Sequence, residues 1–296
     1  MPVASYRYSF FLLMLLGSGA CSTDKQEPEH VENAVAPTNA LQELTPYFNA
    51  QWAMDKFWED SLAEVATYAA EQTVGAATQQ FDCTLLTVKE EFSMQYNVRA
   101  ADYKRKDLYP VMKVNQIYSL PTTPLPQHCL TSLFFRRDQP VPLYKLTASA
   151  QDWNGVTFKA ITDDGLQYVE SYSSCQSQPG SGQRQLRRDV LFEEALPYTL
   201  RSLRFERKPA FGATVRAAQA PDACLPPVYY TAQIRVADGL VADTAEPAWR
   251  VAVVLADRKE NVYWFAKKYP NLLLRQTTWD GRRMTLKEVK RTAYEG

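Results

Sequence analysis

Four glycine-containing dipeptides cut this chain into short alternating runs, and that punctuation constrains its fold more than any other feature. Asn154-Gly155 separates Tyr144–Trp153 from Val156–Ile161, and Asp164-Gly165 precedes Leu166–Tyr172. Asp238-Gly239 closes a run in which Tyr230, Ala232, Ile234 and Val236 alternate with polar residues. Asp280-Gly281 lies between Leu272–Trp279 and Met284–Val289. Asn-Gly and Asp-Gly in such positions favour two-residue hairpins, whose central residues take positive φ. Upstream, Phe81–Phe92, Val111–Leu120 and His128–Arg136 are β-branched or aromatic segments with the proline-rich Pro121–Pro126 among their connections. Trp249–Ala256 and Val262–Ala266, joined at Asp257–Asn261, add another pair. The expectation is a mainly β chain of antiparallel curved sheets, a half-barrel or a sandwich meander.

One helix interrupts this pattern. Asp189 is placed to cap Val190–Leu203, where Leu196, Leu200 and Leu203 share a face and Pro197 marks a first turn or a kink. The stretch Gln176–Gln183 before it is polar and rich in glycine and serine, and reads as a loop. Phe48–Thr73 is ambiguous: its Ala and Glu favour helix, while Glu64–Tyr68 alternates as a strand would.

The N-terminus sets the compartment. Phe10–Cys21 is a short apolar run after Arg7 that ends in Gly17, Ser18, Gly19 and Ala20 before Cys21. It reads as a secretory signal over residues 1–20, too short to span a bilayer. Gly19-Ala20-Cys21 suits cleavage that leaves Cys21 as a lipid-bearing first residue; Ser18-x-Ala20 also suits plain secretion. Ser22 after the cysteine suits sorting to the outer membrane on its periplasmic face. Residues 21–45 carry no aromatic, several acids, Pro28 and Pro37, so they read as a disordered tether spanning about 25 Å. Residues 46–296 then form the β-rich body, as one domain or two lobes dividing near 206.

In an oxidising compartment Cys83, Cys129, Cys175 and Cys224 are disulfide candidates, with Cys83–Cys129 and Cys175–Cys224 the pairing favoured among three. Their spacing has no metal-ligand pattern. With 33 Lys+Arg against 33 Asp+Glu, the chain has no basic field to recruit nucleic acid.

Catalytic signals are sparse. Of two histidines, His30 lies in the tether and His128 at a strand start beside Cys129, so a triad and zinc ligation by histidines would both lean on His128 alone, and a turn or surface hydrogen-bond role suits it better. Glu90-Glu91 and Asp163-Asp164 are neighbours in sequence, and adjacent strand residues face opposite ways. Gly180-Ser181-Gly182 lacks the context of a phosphate loop or nucleophile elbow. Lys104-Arg105-Lys106, Arg136-Arg137, Arg187-Arg188 and Arg282-Arg283 are solvated strand ends or contacts for anionic lipid or glycan. Trp52/Phe57/Trp58 and Tyr263-Trp264-Phe265 are core or ligand-lining aromatics. No catalytic residue, cofactor or metal is assigned.

The stretches TLLTVKEEFSMQYNVRAADY (84–103), PVMKVNQIYSLPTTPLP (110–126) and KLTASAQDWNG (145–155) resemble a family of bacterial lipoproteins of unknown function, best known from Bacteroidota. Its members are sometimes labelled septum-formation inhibitors of the Maf type, a cytoplasmic pyrophosphatase activity that an exported β-rich chain does not inherit. The similarity covers most of residues 57–206 and implies that Ala63–Thr73 is a strand. The functional expectation is a non-catalytic envelope lipoprotein that binds an amphiphile, a glycan or an envelope protein on its sheet. Alternatives are an assembly scaffold without a pocket, and a carboxylate-based hydrolase.

Overall fold

In a computed structural model, residues 40–74, 77–173, 180–242, 244–256 and 258–294 are described. The body is built on one sixteen-stranded sheet. Its first half comprises β1 (Leu62–Val74), β2 (Ala77–Ser93), β3 (Val98–Arg99), β4 (Leu108–Leu120) and β5 (Gln127–Arg136). After these come β6 (Lys145–Asp152), β7 (Gly155–Asp163), β8 (Tyr168–Ser173), β9 (Gly182–Leu186) and β10 (Leu191–Phe192). The second half is β11 (Ala210–Arg216), β12 (Tyr229–Leu240), β13 (Pro247–Ala256), β14 (Lys259–Ala266), β15 (Leu273–Thr277) and β16 (Arg283–Ala293). The hydrogen-bonded order runs β10-β11-β12-β13-β14-β15-β16-β1-β2-β4-β5-β6-β7-β8-β9, with β3 attached to β2. Every pairing is antiparallel except the two-residue β10–β11 contact. The mainly β, antiparallel expectation is met, and strands from both sides of residue 206 share the sheet.

The sheet curls. Arg216 on β11 and Glu170 on β8, near opposite ends of the strand order, meet at 3.3 Å with both side chains buried. Sequence alternation explains the curl: Cys83, Leu85, Ala148, Ala150, Ile234, Val251, Val253, Tyr263 and Phe265 all turn inward and are buried.

The interior is occupied by the chain itself. Residues 193–202 form a helical segment, 3-10 turns at Glu193–Ala195 and Leu200–Ser202 around a single α-turn at Leu196–Thr199. Only Glu194 among residues 190–203 escapes full burial. Leu196, Leu200 and Leu203 pack toward the β11–β15 side of the core, while Ala195 and Tyr198 face Met112, Leu133 and Phe135. A segment apolar on opposite faces belongs inside a fold, not on its surface.

The expected helix therefore exists but begins later than expected. Leu191–Phe192 are a strand, Pro197 sits in the first turn of the α segment, and Asp189 makes an ion pair with Arg187 instead of capping. A carboxylate two residues from a guanidinium satisfies its charge there, which removes it from the helix start.

Residues 40–61 cover one opening with Phe48, Trp52 and Trp58. Asn49 N–H donates to Ser202 O, and Arg204 Nε donates to Phe48 O. Residues 217–228 lie against another part of the sheet, where Lys159 Nζ donates to Ala220 O and Ala223 O, both at 2.8 Å.

Three of the four junctions reverse the chain, but none is a two-residue Asn-Gly or Asp-Gly turn: Gly155 pairs with Asp152 across Trp153-Asn154, Asp163 pairs with Tyr168 around residues 164–167, and Thr277 pairs with Arg283 around residues 278–282. Gly155, Gly165 and Gly281 take positive φ, whereas Asn154, Asp164 and Asp280 do not. The glycine alone supplies the reversed backbone. Asp238-Gly239 is not a turn: both residues lie inside β12, opposite Trp249 and Ala248. A Cβ on Gly239 would sit 2.8 Å from Arg250 Cβ, so this glycine permits a close strand approach. The reversal comes later, where Val241 N–H donates to Glu246 O and Ala245 has φ 54°.

The Cys83–Cys129 pairing fails. Both are free, buried thiols. In the register, Tyr118 on β4 stands between them, opposite Cys83 on β2 and opposite Cys129 on β5. Two strand spacings separate them by about 9.6 Å, beyond the reach of a disulfide. Cys224 is buried and disulfide-bonded. Cys175, the partner expected for it, lies outside the described residues, as do Cys21, His30 and most of the tether.

Candidate functional site

The core offers little room for a ligand. Beneath the central segment, among Glu64, Tyr68, Thr87, Gln116, Tyr198 and Arg201, the free space is about 10 Å³. That volume holds one water molecule and no acyl chain or sugar. A larger space of about 440 Å³ opens between Phe48 and Pro140–Pro142.

The buried charges inside are matched to one another. Arg201 Nη1 and Nη2 donate to Glu64 Oε1 and Oε2 at 2.7 and 3.0 Å, and Nε donates to Pro270 O. Its guanidinium lies 5.1 Å from the Trp52 ring centroid and 5.8 Å from that of Trp58. Glu170 meets Arg184 at 2.6 Å and Arg216 at 3.3 Å, and Arg216 also meets Glu194 at 3.1 Å. Glu193 accepts from Asn261 Nδ2, Arg282 Nη2 and Ala218 N–H, each at 2.9 Å. Burial opposes the charge on Arg282, yet Asp280 and Glu193 keep its guanidinium protonated. Burial lowers the Lys159 ammonium from its ordinary value, with Glu194 opposing the shift. These are structural pairs in the interior; among the described residues no carboxylate pair opens onto a cleft there.

The residues singled out by sequence are mostly accounted for by local partners. His128 faces outward on β5, with a ring nitrogen 2.8 Å from Ser119 Oγ. Glu90 is nearly buried on the outer side of β2, where its Oε1 accepts from Lys113 Nζ at 3.2 Å and Tyr294 OH at 3.0 Å. Asp163 pairs with Arg188, and Asp164 receives backbone N–H groups of its own turn, which lower its carboxyl below the usual range. Arg105, Arg136, Arg187 and Arg283 pair with Asp107, Asp138, Asp189 and Glu71. The basic doublets are thus largely neutralised at home. Trp52 and Trp58 are core, as are Tyr263 and Phe265, whereas Trp264 is only partly buried.

What sequence reasoning missed is the outer face of β4 to β8. Across these strands Asn115, Ser132, Thr147, Ala160 and Ser171 stand in one row of cross-strand partners. Ile117, Leu130, Ser149, Phe158 and Ser173 form the next, and Ser119, His128, Gln151 and Val156 a third. None of these residues is charged. The two complete rows continue onto β2 and β1 through Leu86–Val65 and Thr84–Thr67, again without charge. Ile117, Leu130 and Phe158 are 43%, 39% and 43% exposed, with Trp153 at 61% on the adjoining turn.

The rest of the sheet differs. Cross-strand partners on β12 to β16 include Arg235, Arg250, Glu260, Arg275 and Arg283. Solvated sheet faces normally carry such charges, whereas interface centres are depleted in them. A signal was present in the sequence: every second residue from Asn115 to Ser119, and from Val156 to Ala160, lacks a charge. Only the register joins those short stretches into one surface.

No family model matches the chain. No curated protein matches it either. Among solved structures, a beta-barrel-like protein of the domain of unknown function DUF1849 from Brucella abortus is similar at 10% identity and a TM-score of 0.47, covering 78% of this chain and 98% of that one.

Proposed function

We propose that the protein is an exported, non-catalytic scaffold, tethered by lipid on Cys21 to the outer membrane, that docks a partner protein on the outer face of β4 to β8. The observation that carries this reading is a space of only about 10 Å³ beneath the central segment together with outer rows, from Asn115 to Ser119, that hold no charge and expose Ile117, Leu130 and Phe158, bordered by a row that bears Lys113 and Lys145. An amphiphile carrier needs a chamber, and pockets for small ligands start at about 300 Å³; the space under the central segment is about 10 Å³. Against the hydrolase alternative, the acids that stand beside another acid in sequence, Glu90 and Asp163, are each held by a neighbouring cation.

The test is photo-crosslinking in the producing cell. A photoreactive residue at Leu130 or Phe158 should give discrete protein adducts, and the same residue at Val254, on the charged wall, should give none. Adducts at all three positions alike, or none at Phe158, would refute the docking face. Stoichiometric copurified lipid detected by mass spectrometry would return the protein to the carrier class.

A further inference from the structure

Resting on that docking reading, we infer that the partner on this face is a second copy of the same chain, held in a two-fold dimer through β4 to β8. Charge is the first argument. A two-fold contact sets each patch against itself, so any fixed charge near its centre meets a like charge. The rows from Asn115 to Ser171 and from Ile117 to Ser173 contain none, so this surface is self-compatible where the Arg250–Arg275 wall is not.

Side-chain size is the second. Ser132, Thr147, Ser149, Ala160 and Ser171 are small, so the backbones of two sheets can approach closely around the larger Ile117, Leu130 and Phe158. Face-to-face sheets pack about 10 Å apart with interdigitated side chains.

Area is the third. Five strands at about 4.8 Å spacing and three rows at about 6.8 Å give a patch of about 24 by 20 Å. Each copy would then bury about 500 Å², and the pair about 1,000 Å², the lower limit for a specific interface. Curvature trims this further, so the dimer is weak and forms at tens of micromolar or above.

A lipid surface is the competing occupant. Against it, the three rows carry no lysine or arginine to meet an anionic headgroup.

Sedimentation equilibrium on the exported chain carrying Cys21→Ser, which accepts no acyl chain, tests the inference between about 5 and 500 µM. The mass should rise from one chain to two. Phe158→Lys and Leu130→Lys should each move the midpoint at least tenfold higher, because each puts two like charges into the contact. Val254→Lys, on the charged wall and 37% exposed in the parent, should leave it in place. Circular dichroism melts of the variants show whether each remains folded; the outward position of both side chains predicts that they do.

A single-chain mass throughout, or a dimer indifferent to both lysines, overturns the second copy. So does cosedimentation with phosphatidylethanolamine–phosphatidylglycerol vesicles that Phe158→Lys abolishes while the free chain stays monomeric. If the chain is monomeric but crosslinks at Phe158 capture a different protein, the docking reading survives and the dimer does not. If neither appears, both fall.

Discussion

The ion pair between Arg201 and Glu64 ties the central segment to β1, and its removal has a calculable cost. Both side chains are about 5% exposed or less. Arg201→Met keeps the apolar stem but leaves the Glu64 carboxylate buried without its two donors. Breaking a buried pair from one side costs about 3–5 kcal/mol. Loss of stacking on Trp52 and Trp58 adds about 1 kcal/mol. Urea unfolding followed by tryptophan fluorescence measures this. With a slope of about 3 kcal/mol/M, the midpoint should fall by about 1.5 M. The double variant Glu64→Leu/Arg201→Met should be more stable than Arg201→Met alone, since no lone charge remains. A midpoint loss below about 0.5 M, or a double variant no better than Arg201→Met, would refute the reasoning.

Other outcomes follow from single contacts. Burial pushes the Cys83 thiol up to about 12 and the Cys129 thiol up to about 11, so at pH 8 neither should be alkylated by iodoacetamide until denaturant is added, as read by mass spectrometry. Gly239→Ala should lower stability by about 1–3 kcal/mol, since its Cβ would lie 2.8 Å from Arg250 Cβ; an unchanged melting temperature would show that the strands separate at little cost. Asp107 is held well below the usual carboxylate range by Arg105 and Ser93, so Asp107→Asn should speed hydrogen exchange at Gln95, whose N–H it accepts, while β6 stays protected. Cys21→Ser should move the protein from the membrane fraction to the soluble one, and continued sedimentation with membranes would defeat the lipid anchor.

Local features were legible in the sequence and long-range ones were not. Strands such as Leu108–Leu120 and Gln127–Arg136 announced themselves because alternation and turn glycines act over a few residues. The leucines at 196, 200 and 203 announced a helical face, but not that Tyr198, Thr199 and Arg201 would be buried on its other sides. Periodicity reports a face and cannot report a second wall. The cysteines were misread for a related reason: their separation depends on β4 lying between β2 and β5, which is topology. Gly239 was misread because a glycine needed for close approach has the same sequence signature as one needed for a turn.

The position of the uncharged wall within the sheet strengthens its assignment as a docking surface. Register shifts occur where β1 meets β16, β13 meets β14 and β14 meets β15, whereas the ladders from β2 through β8 run without one. Bulges bend strands and re-aim side chains, so the unshifted ladders hold the rows from Asn115 to Ser171 and from Ile117 to Ser173 in fixed spacing. The free ends of the sheet lie elsewhere, at β9 and β10, where Glu170, Arg184 and Arg216 join by charge what no backbone ladder joins among the described residues. Such a network is stable only when its members are matched, so Arg216→Ala should loosen β9 and β10 first. The outer rows on β4 to β7 should keep their amide protection in that variant, and simultaneous loss of protection there would mean that the uncharged wall depends on the seam for its shape.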